Sequence, residues 1–236
     1  MLLQAFLYTL IPLFAALASG VLAFYWTPGP EARSYIQHFA AGVVLAAVTG
    51  ELLPKVVERG EHVTAALIGF GAGLALMLVI KLFSHKSGDG GQNATSLTVT
   101  AGVDTLVDGL VIGIGFVVGG GAGALLAVAL AVELFFLSLS AVSSAGQSGK
   151  SGRWMLGIAA GLGVLIMIGA LLGVTVLGSA PDPVLTAVLA FGSVALLYLV
   201  TEELLVSIRN VSETPWHTLV LFTGFILVFV IEMLVH

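Results

Sequence analysis

Seven carboxylates lie within stretches of this sequence that are otherwise almost wholly apolar. They are Glu51, Asp104, Asp108, Glu133, Glu202, Glu203 and Glu232. No Lys or Arg lies deep in these stretches, and a charge at the centre of a bilayer costs about 2.5–3.5 kcal/mol on insertion scales. Charge of one sign persists there when it meets water, a proton or a cation. The pattern therefore indicates a binding site or a pathway for cations.

The spacing of three of these carboxylates predicts one site. Asp104 and Asp108 are four residues apart, so a helix would place both on the same face. Two carboxylates that close repel each other unless a proton or a cation lies between them. Thr105 adds a hydroxyl beside them, and Glu133 lies near the middle of the next apolar stretch. The alternative is that one Asp is a neutral acid bonded to a neighbouring helix.

An internal repeat relates two further carboxylates. Residues 48–53 have the sequence Val-Thr-Gly-Glu-Leu-Leu, and residues 200–205 have Val-Thr-Glu-Glu-Leu-Leu, at an offset of 152. Glu51 and Glu203 take the same place in this repeat, so we predict that both line the cation route. Glu202 points about 100° away from Glu203 on a helix. For Glu51, an ion pair with the basic residue one turn later is the alternative.

The elements that must hold these residues are membrane helices. Of the 236 residues 58% are hydrophobic and 9% are charged, whereas a soluble domain has about 25% charged residues. A membrane helix needs about 20 mainly apolar residues. Eight such stretches can be drawn, at 2–26, 34–54, 63–84, 97–119, 122–145, 154–178, 184–206 and 215–235. We predict an all-α polytopic membrane protein with a single transmembrane domain over residues 1–236.

The basic residues predict the orientation of these spans. The loops after spans one, three, five and seven are flanked by Arg33, Lys81, Lys86, Lys150, Arg153 and Arg209, and the other side has Lys55 and Arg59. Because cytoplasmic loops are enriched in Lys and Arg, we predict a plasma or inner membrane protein with both termini outside the cytoplasm. Spans two and seven then cross in opposite directions. The repeat is therefore inverted, with spans 1–3 against 6–8 and spans 4 and 5 between them.

Four segments resemble the ZIP family of divalent-metal transporters. Residues 38–54 are similar to the family's second span, and residues 197–205 to its seventh. Asp104-Thr105-Leu106-Val107-Asp108-Gly109 falls where the family has His-Asn-x-Pro-Glu/Asp-Gly. Val132-Glu133-Leu134-Phe135-Phe136 falls where it has His-Glu-x-Pro-Glu. The resemblance implies eight spans in a 3+2+3 arrangement and a metal site on spans four and five.

The chain differs from the family pattern at residues that would bind the metal. Asp104 and Val132 replace the two histidines, and Phe136 replaces the second glutamate of span five. Thr105 replaces the family's asparagine on span four, and the prolines that the family has on spans four and five are both absent. The family's paired-metal site is therefore incomplete here. An oxygen-rich site made by Asp104, Asp108 and Glu133 with Thr105 would favour Mg, Ca or Mn over zinc, although Zn, Mn, Fe and Cd all stay as candidate cargo.

These observations predict a divalent-cation transporter that moves metal into the cytoplasm and uses no cofactor. Its partners would be the lipid bilayer, the metal ion and, through its Gly-rich faces, a second copy in a homodimer; no nucleic acid is expected. The alternative is a ZIP-derived protein that moves protons or another cationic solute, or a sensor that transports nothing. An enzyme is not expected, because Asp104 and Asp108 on one helix suit a ligand clamp better than a catalytic dyad. The five histidines form no spaced cluster in the sequence.

Overall fold

The computed structural model describes residues 1–26, 29–86, 94–147, 149–205 and 214–235. Side chains in those ranges are described except at Pro30, 83–86, 94–100, Gly120, Ser144, Gln147, Glu203, Glu232, Leu234 and Val235. The helices are α1 Leu2–Tyr25, α2 Pro30–Ala47, α3 Leu53–Glu58, α4 Val63–Lys86, α5 Ala94–Val118, α6 Gly120–Gln147, α7 Gly152–Leu177, α8 Asp182–Tyr198 and α9 Pro215–Val235. A π-helical turn, Val48–Leu52, joins α2 to α3, and a second, Leu199–Leu204, extends α8. The described residues form no β-strand, so the predicted all-α class is confirmed.

Each predicted apolar stretch coincides with a helix, and most of these helices could cross a bilayer. Within the described residues, seven are long and apolar enough: Leu2–Tyr25, Glu31–Glu58, Gly60–Leu82, Ala101–Val118, Gly121–Ser143, Gly152–Leu177 and Asp182–Glu202. The apolar part of α9, Pro215–Ile231, is shorter. A helix rises 1.5 Å per residue, so about 20 residues cross a hydrocarbon core of about 30 Å. The chain is an integral membrane protein.

The helices pack in pairs that involve both halves of the chain. Helix α2 packs against α9, α4 against α8, and α1 against α7. The two central helices, α5 and α6, pack against each other, while α5 also contacts α7 and α6 also contacts α1. These pairings stay the same if α1, α2 and α4 are exchanged with α7, α8 and α9, and α5 with α6.

Glycines set the distance between α5 and α7. A Cβ atom on Gly109 would lie 2.3 Å from the carbonyl oxygen of Ile166, and one on Gly169 would lie 2.4 Å from that of Leu106. Both distances are far shorter than a van der Waals contact, so only glycine fits without a shift of backbone. Since lipid tails are as apolar as Leu, such close backbone packing is a main source of helix association in a membrane. The crossing also fixes the position of Asp108, which precedes Gly109.

Substitution of Gly109 by alanine is expected to destabilise the protein by about 1–3 kcal/mol, the usual cost of inserting a methyl group into a packed interior. The measurement is the midpoint of thermal unfolding in detergent. Gly71→Ala is the matched control, because a Cβ atom at Gly71 has nothing within 4 Å. An unchanged midpoint for Gly109→Ala would show that α5 and α7 are not held at this distance.

The two π-helical turns lie at equivalent places in the sequence repeat. In the first, the amide of Leu53 bonds to the carbonyl of Val48; in the second, that of Leu205 bonds to Val200 at 3.0 Å. Both bonds span five residues, and 48 and 53 map onto 200 and 205 at the offset of 152. The π-helix is rare and occurs mostly as single turns, frequently at functional sites.

Threonine hydroxyls make the same bonds in both turns. Thr49 donates to the carbonyl of Leu45 at 2.7 Å, and Thr201 donates to that of Leu197 at 2.9 Å. Such back-bonding to the preceding turn often bends a helix. The repeated sequence Val-Thr-x-Glu-Leu-Leu therefore forms a repeated local structure, which places Glu51 in one turn and Glu202 and Glu203 in the other.

Candidate metal-binding site

Three buried carboxylates meet between α5 and α6. One oxygen from each of Asp104, Asp108 and Glu133 lies within 4.8 Å of the other two. These residues are 6%, 3% and 3% exposed. All three lie near the middle of their helices, which have 25 and 28 residues. The residues that the sequence grouped by spacing are therefore brought together, deep within the bundle.

The hairpin between α5 and α6 explains this meeting. Gly119 is the only residue between the two helices, so they run antiparallel and adjacent. Asp108 and Asp104 are 11 and 15 residues before Gly119, and Glu133 is 14 residues after it. Residues equidistant from a tight turn lie level with each other, so Glu133 faces the turn of α5 that holds both Asp residues. The i, i+4 spacing places both Asp side chains on one face of that helix.

The hairpin is close because small residues line its turn. A Cβ atom at Gly115 would lie 2.9 Å from the Cα of Gly123, and one at Gly123 would lie 2.4 Å from the ring of Phe116. Neither glycine could carry a side chain without a shift of its neighbours. The close approach near the turn sets the separation of the helices, so that side chains of only two or three carbons can meet further along.

The electrostatics of this group favour bound positive charge. Two ionised carboxylates with oxygens within 4.8 Å of each other repel each other by about 3.5 kcal/mol or more at an effective dielectric constant of 20. Proton uptake or a bound cation removes this repulsion. Oxygen ligands on opposite sides of a metal ion lie about 4.0–5.2 Å apart for Mg²⁺ and Ca²⁺. Separations of at most 4.8 Å are therefore short enough for the three carboxylates to share one hard divalent ion.

Thr105 lies beside this group and is fully buried. Its hydroxyl donates a hydrogen bond of 2.7 Å to the carbonyl of Ala101 in the same helix. The proton of the hydroxyl is thus used within α5. The oxygen keeps lone pairs, so its predicted role as a further ligand stays a prediction.

Glu51 forms the ion pair that the sequence left as an alternative. Its carboxylate lies 3.3 Å from the Nζ of Lys55, with exposures of 3% and 19%. That Nζ lies 3.9 Å from the position of a Cβ atom on Gly119, at the α5–α6 turn. The pair is therefore near the closed end of the hairpin, whereas the three carboxylates lie near the middle of its helices. Its predicted role in lining the route stays a prediction.

Removing the positive partner of Glu51 should cost stability. We expect Lys55→Met to destabilise the protein by about 1–3 kcal/mol, less than the 3–5 kcal/mol of a fully buried pair, because Lys55 is partly exposed. The double variant Lys55→Met, Glu51→Gln should recover most of this loss, as measured by thermal unfolding in a double-mutant cycle. Arg59→Gln is the control, since its contact with exposed Asp182 at 3.9 Å is worth less than about 1 kcal/mol. Additive effects of the two substitutions would contradict this coupling.

The second π-helical turn, Leu199–Leu204, holds two carboxylates, Glu202 and Glu203. Glu202 forms an ion pair with Lys81 of α4, and so ties the end of α8 to that helix. The side chain of Glu203, the predicted partner of Glu51 in the repeat, lies outside the described residues, as does that of Glu232. Sequence reasoning missed Lys81 as a partner, because 121 residues separate it from Glu202 and its place near a loop indicated only orientation.

Two histidines that are far apart in the sequence meet in the fold. The rings of His38 and His217 have centroids 4.9 Å apart, and Tyr35 stacks on His217 at 4.3 Å. The Nδ1 of His38 donates to the carbonyl of Ser34 at 2.9 Å. Only the packing of α2 against α9 brings these residues together, so no local spacing could have indicated it.

No protein-family model matches this chain, and a search of curated proteins finds no match either. The resemblance to the ZIP family therefore rests on the motifs and the order of the apolar stretches. The geometry of Asp104, Asp108 and Glu133 stands independently of that resemblance.

Proposed function

We propose that this protein is a ZIP-like transporter that moves divalent metal ions into the cytoplasm through the site of Asp104, Asp108 and Glu133. The observation that carries the proposal is the meeting of three buried carboxylates, from two adjacent helices, within 4.8 Å near the middle of those helices. Acidic groups inside a membrane are costly, and they mark ion pathways when they persist. Oxygen ligands alone favour Mn, Mg or Ca over Zn.

An inverted repeat of eight spans in a 3+2+3 arrangement supports this function. In this proposal α9 is the eighth span, and α1, α2 and α4 correspond to α7, α8 and α9. The carbonyl of Phe39 faces Gly224 of α9, and that of Phe191, its equivalent at the offset of 152, faces Gly73 of α4. Each repeat thus contributes the same contact to the other. Substrate sites of such transporters lie near the midplane, between the repeats.

The π-helical turns suit the movement that transport needs. Alternating access requires one part of the bundle to rock against another about a fixed site. Val48–Leu52 and Leu199–Leu204 are the breaks in α-helical bonding within the second helix of each repeat. We propose that these turns bend during the cycle, with Glu51 and Glu203 lining the route. The excess of basic residues in the odd-numbered loops supports both termini outside the cytoplasm, in a plasma or inner membrane.

Reconstituted vesicles test the proposal. Purified protein would be placed in liposomes that contain a metal-sensitive dye, and uptake of Mn²⁺, Zn²⁺, Fe²⁺, Cd²⁺, Mg²⁺ and Ca²⁺ would be recorded. We expect saturable uptake of at least one of these ions, with Mn²⁺ preferred over Zn²⁺. No uptake of any divalent ion, or full uptake by an Asp108→Ala variant, would refute the proposal.

Proton movement is a second candidate, because three carboxylates within 4.8 Å can share protons as well as a cation. The same vesicles with a pH-sensitive dye distinguish the two candidates. Proton flux in the absence of any divalent ion, lost in Asp108→Asn, would favour this candidate. Proton flux that requires the metal would instead be part of metal transport.

A further inference from the structure

A cleft of about 440 Å³ lies between α5 and α7. Gly102 of α5 and Gly157 and Gly161 of α7 line it, together with Leu165. A Cβ atom at Gly157 or Gly161 would meet nothing within 4 Å. The missing side chains therefore leave open space along an apolar wall, within the helix Gly152–Leu177 that is long and apolar enough to cross a bilayer.

One end of this cleft is positively charged. Arg153 and Trp154 line that end, both are exposed, and the Nζ of Lys150 lies 5.4 Å from the centroid of the Trp154 ring. Helix α7 begins at Gly152, so the positive end of its dipole is at the same place. No Asp or Glu lines the cleft among the described residues. Two side chains and a helix terminus thus attract an anion there.

We propose that this cleft binds an anionic phospholipid. The phosphate of the headgroup would lie at Arg153, Lys150 and the start of α7, where helix amides and basic side chains favour phosphate. An acyl chain would extend along Gly157 and Gly161. Trp154, which is 61% exposed, has the place of an interfacial aromatic residue beside a headgroup. Basic pockets between membrane helices on the cytoplasmic side bind anionic headgroups in this way.

A lipid fits this cleft better than a second copy of the chain. Dimers through Gly-x-x-x-Gly faces need the backbones to approach closely along a flat ridge of small residues. Here Trp154 lies three residues before Gly157, on the same face of α7, and its exposed ring obstructs such an approach. A flexible acyl chain passes beside the ring and fills the space between the helices. The charge at the end of the cleft also matches a phosphate.

Native mass spectrometry of the full chain in detergent tests the proposal, with phosphatidylglycerol and phosphatidylcholine of identical acyl chains as probes. We expect preferential retention of phosphatidylglycerol. Arg153→Gln should weaken the binding of phosphatidylglycerol about fivefold, which corresponds to about 1 kcal/mol per basic residue. It should leave the binding of phosphatidylcholine unchanged. Gly157→Leu should fill the cleft and weaken the retention of both lipids. The matched controls are Arg59→Gln and Gly71→Leu, which alter charge and volume elsewhere and should retain both lipids as wild type does.

Several outcomes would overturn the proposal. Equal retention of the two lipids, or wild-type retention by Arg153→Gln, would show that the charge selects nothing. If soluble glycerol phosphate were retained as well as phosphatidylglycerol, the cleft would be a phosphate site with no role for the acyl chain. A dimer that disappears in Gly157→Leu, with lipid retention unchanged, would make the cleft a contact between two copies. Size-exclusion profiles establish that each variant is folded, as the open space at Gly157 leads us to expect.

Discussion

Asp108→Asn is expected to abolish divalent-cation uptake and to weaken metal binding by at least about 100-fold. Outer-shell partners of metal ligands already account for about 10–100-fold in affinity, and a carboxylate that binds the ion directly should account for more. Asparagine has nearly the same shape as aspartate, so the packing of the buried side chain is preserved while one negative charge is lost. Uptake into vesicles and metal titration of the purified protein measure the two effects.

The control for this experiment is Asp182→Asn, which makes the same chemical change at a carboxylate that is 71% exposed. It should leave both uptake and affinity unchanged. Glu133→Gln should reproduce the loss, because in the proposed site α6 contributes one negatively charged carboxylate, and glutamine removes that charge. Normal affinity in Asp108→Asn, together with loss in Glu133→Gln, would exclude Asp108 as a ligand and contradict the proposed ligand set.

The parts of this site that sequence could predict are those that depend on local geometry. The i, i+4 spacing of Asp104 and Asp108 and the tight turn at Gly119 both follow from helix geometry and glycine chemistry. Together they are sufficient to bring Glu133 opposite the pair. The Glu51–Lys55 pair is also an i, i+4 contact, and it stood as an alternative for the same reason.

Contacts between distant segments could not be predicted in this way. The ion pair of Lys81 with Glu202 and the contact of His38 with His217 depend on which helices are neighbours. In an apolar helix nearly every face is compatible with lipid, so hydrophobic periodicity does not indicate which face is buried. The close crossing at Gly109 and Gly169 likewise joins helices that are far apart in the sequence, so local spacing could not assign the partners of these glycines.

The π-helical turns show what a repeat can add to such reasoning. Propensity does not indicate a π turn, because it differs from an α turn by a single additional residue. The two similar segments have the same i to i−5 backbone bond and the same threonine bond to the preceding turn. The repeat in the sequence therefore corresponds to a repeat in local geometry. Both turns also hold carboxylates, so a change in bending would move charge along the helix bundle.

Deletion of Gly50 from the turn Val48–Leu52 is expected to reduce uptake at least about tenfold, because conformational steps limit many cycles of this kind. Without the extra residue the helix can form regular α-helical hydrogen bonds across this position. It then has no π-helical turn at which to bend. Metal affinity at Asp104, Asp108 and Glu133 should stay within about twofold, since the hairpin of α5 and α6 holds those ligands. Transport and binding would then be separated.

The control is Gly50→Ala, which keeps the number of residues and therefore the π turn; its uptake should stay near wild type. Deletion of Thr201 from the equivalent turn should reproduce the loss of uptake, because the two repeats would bend in turn during one cycle. If both deletions also lost metal affinity, the turns would be needed to hold the fold and not to move it. If both transported normally, the bending of these turns would have no part in transport, and rocking of whole helices about the central hairpin would have to suffice.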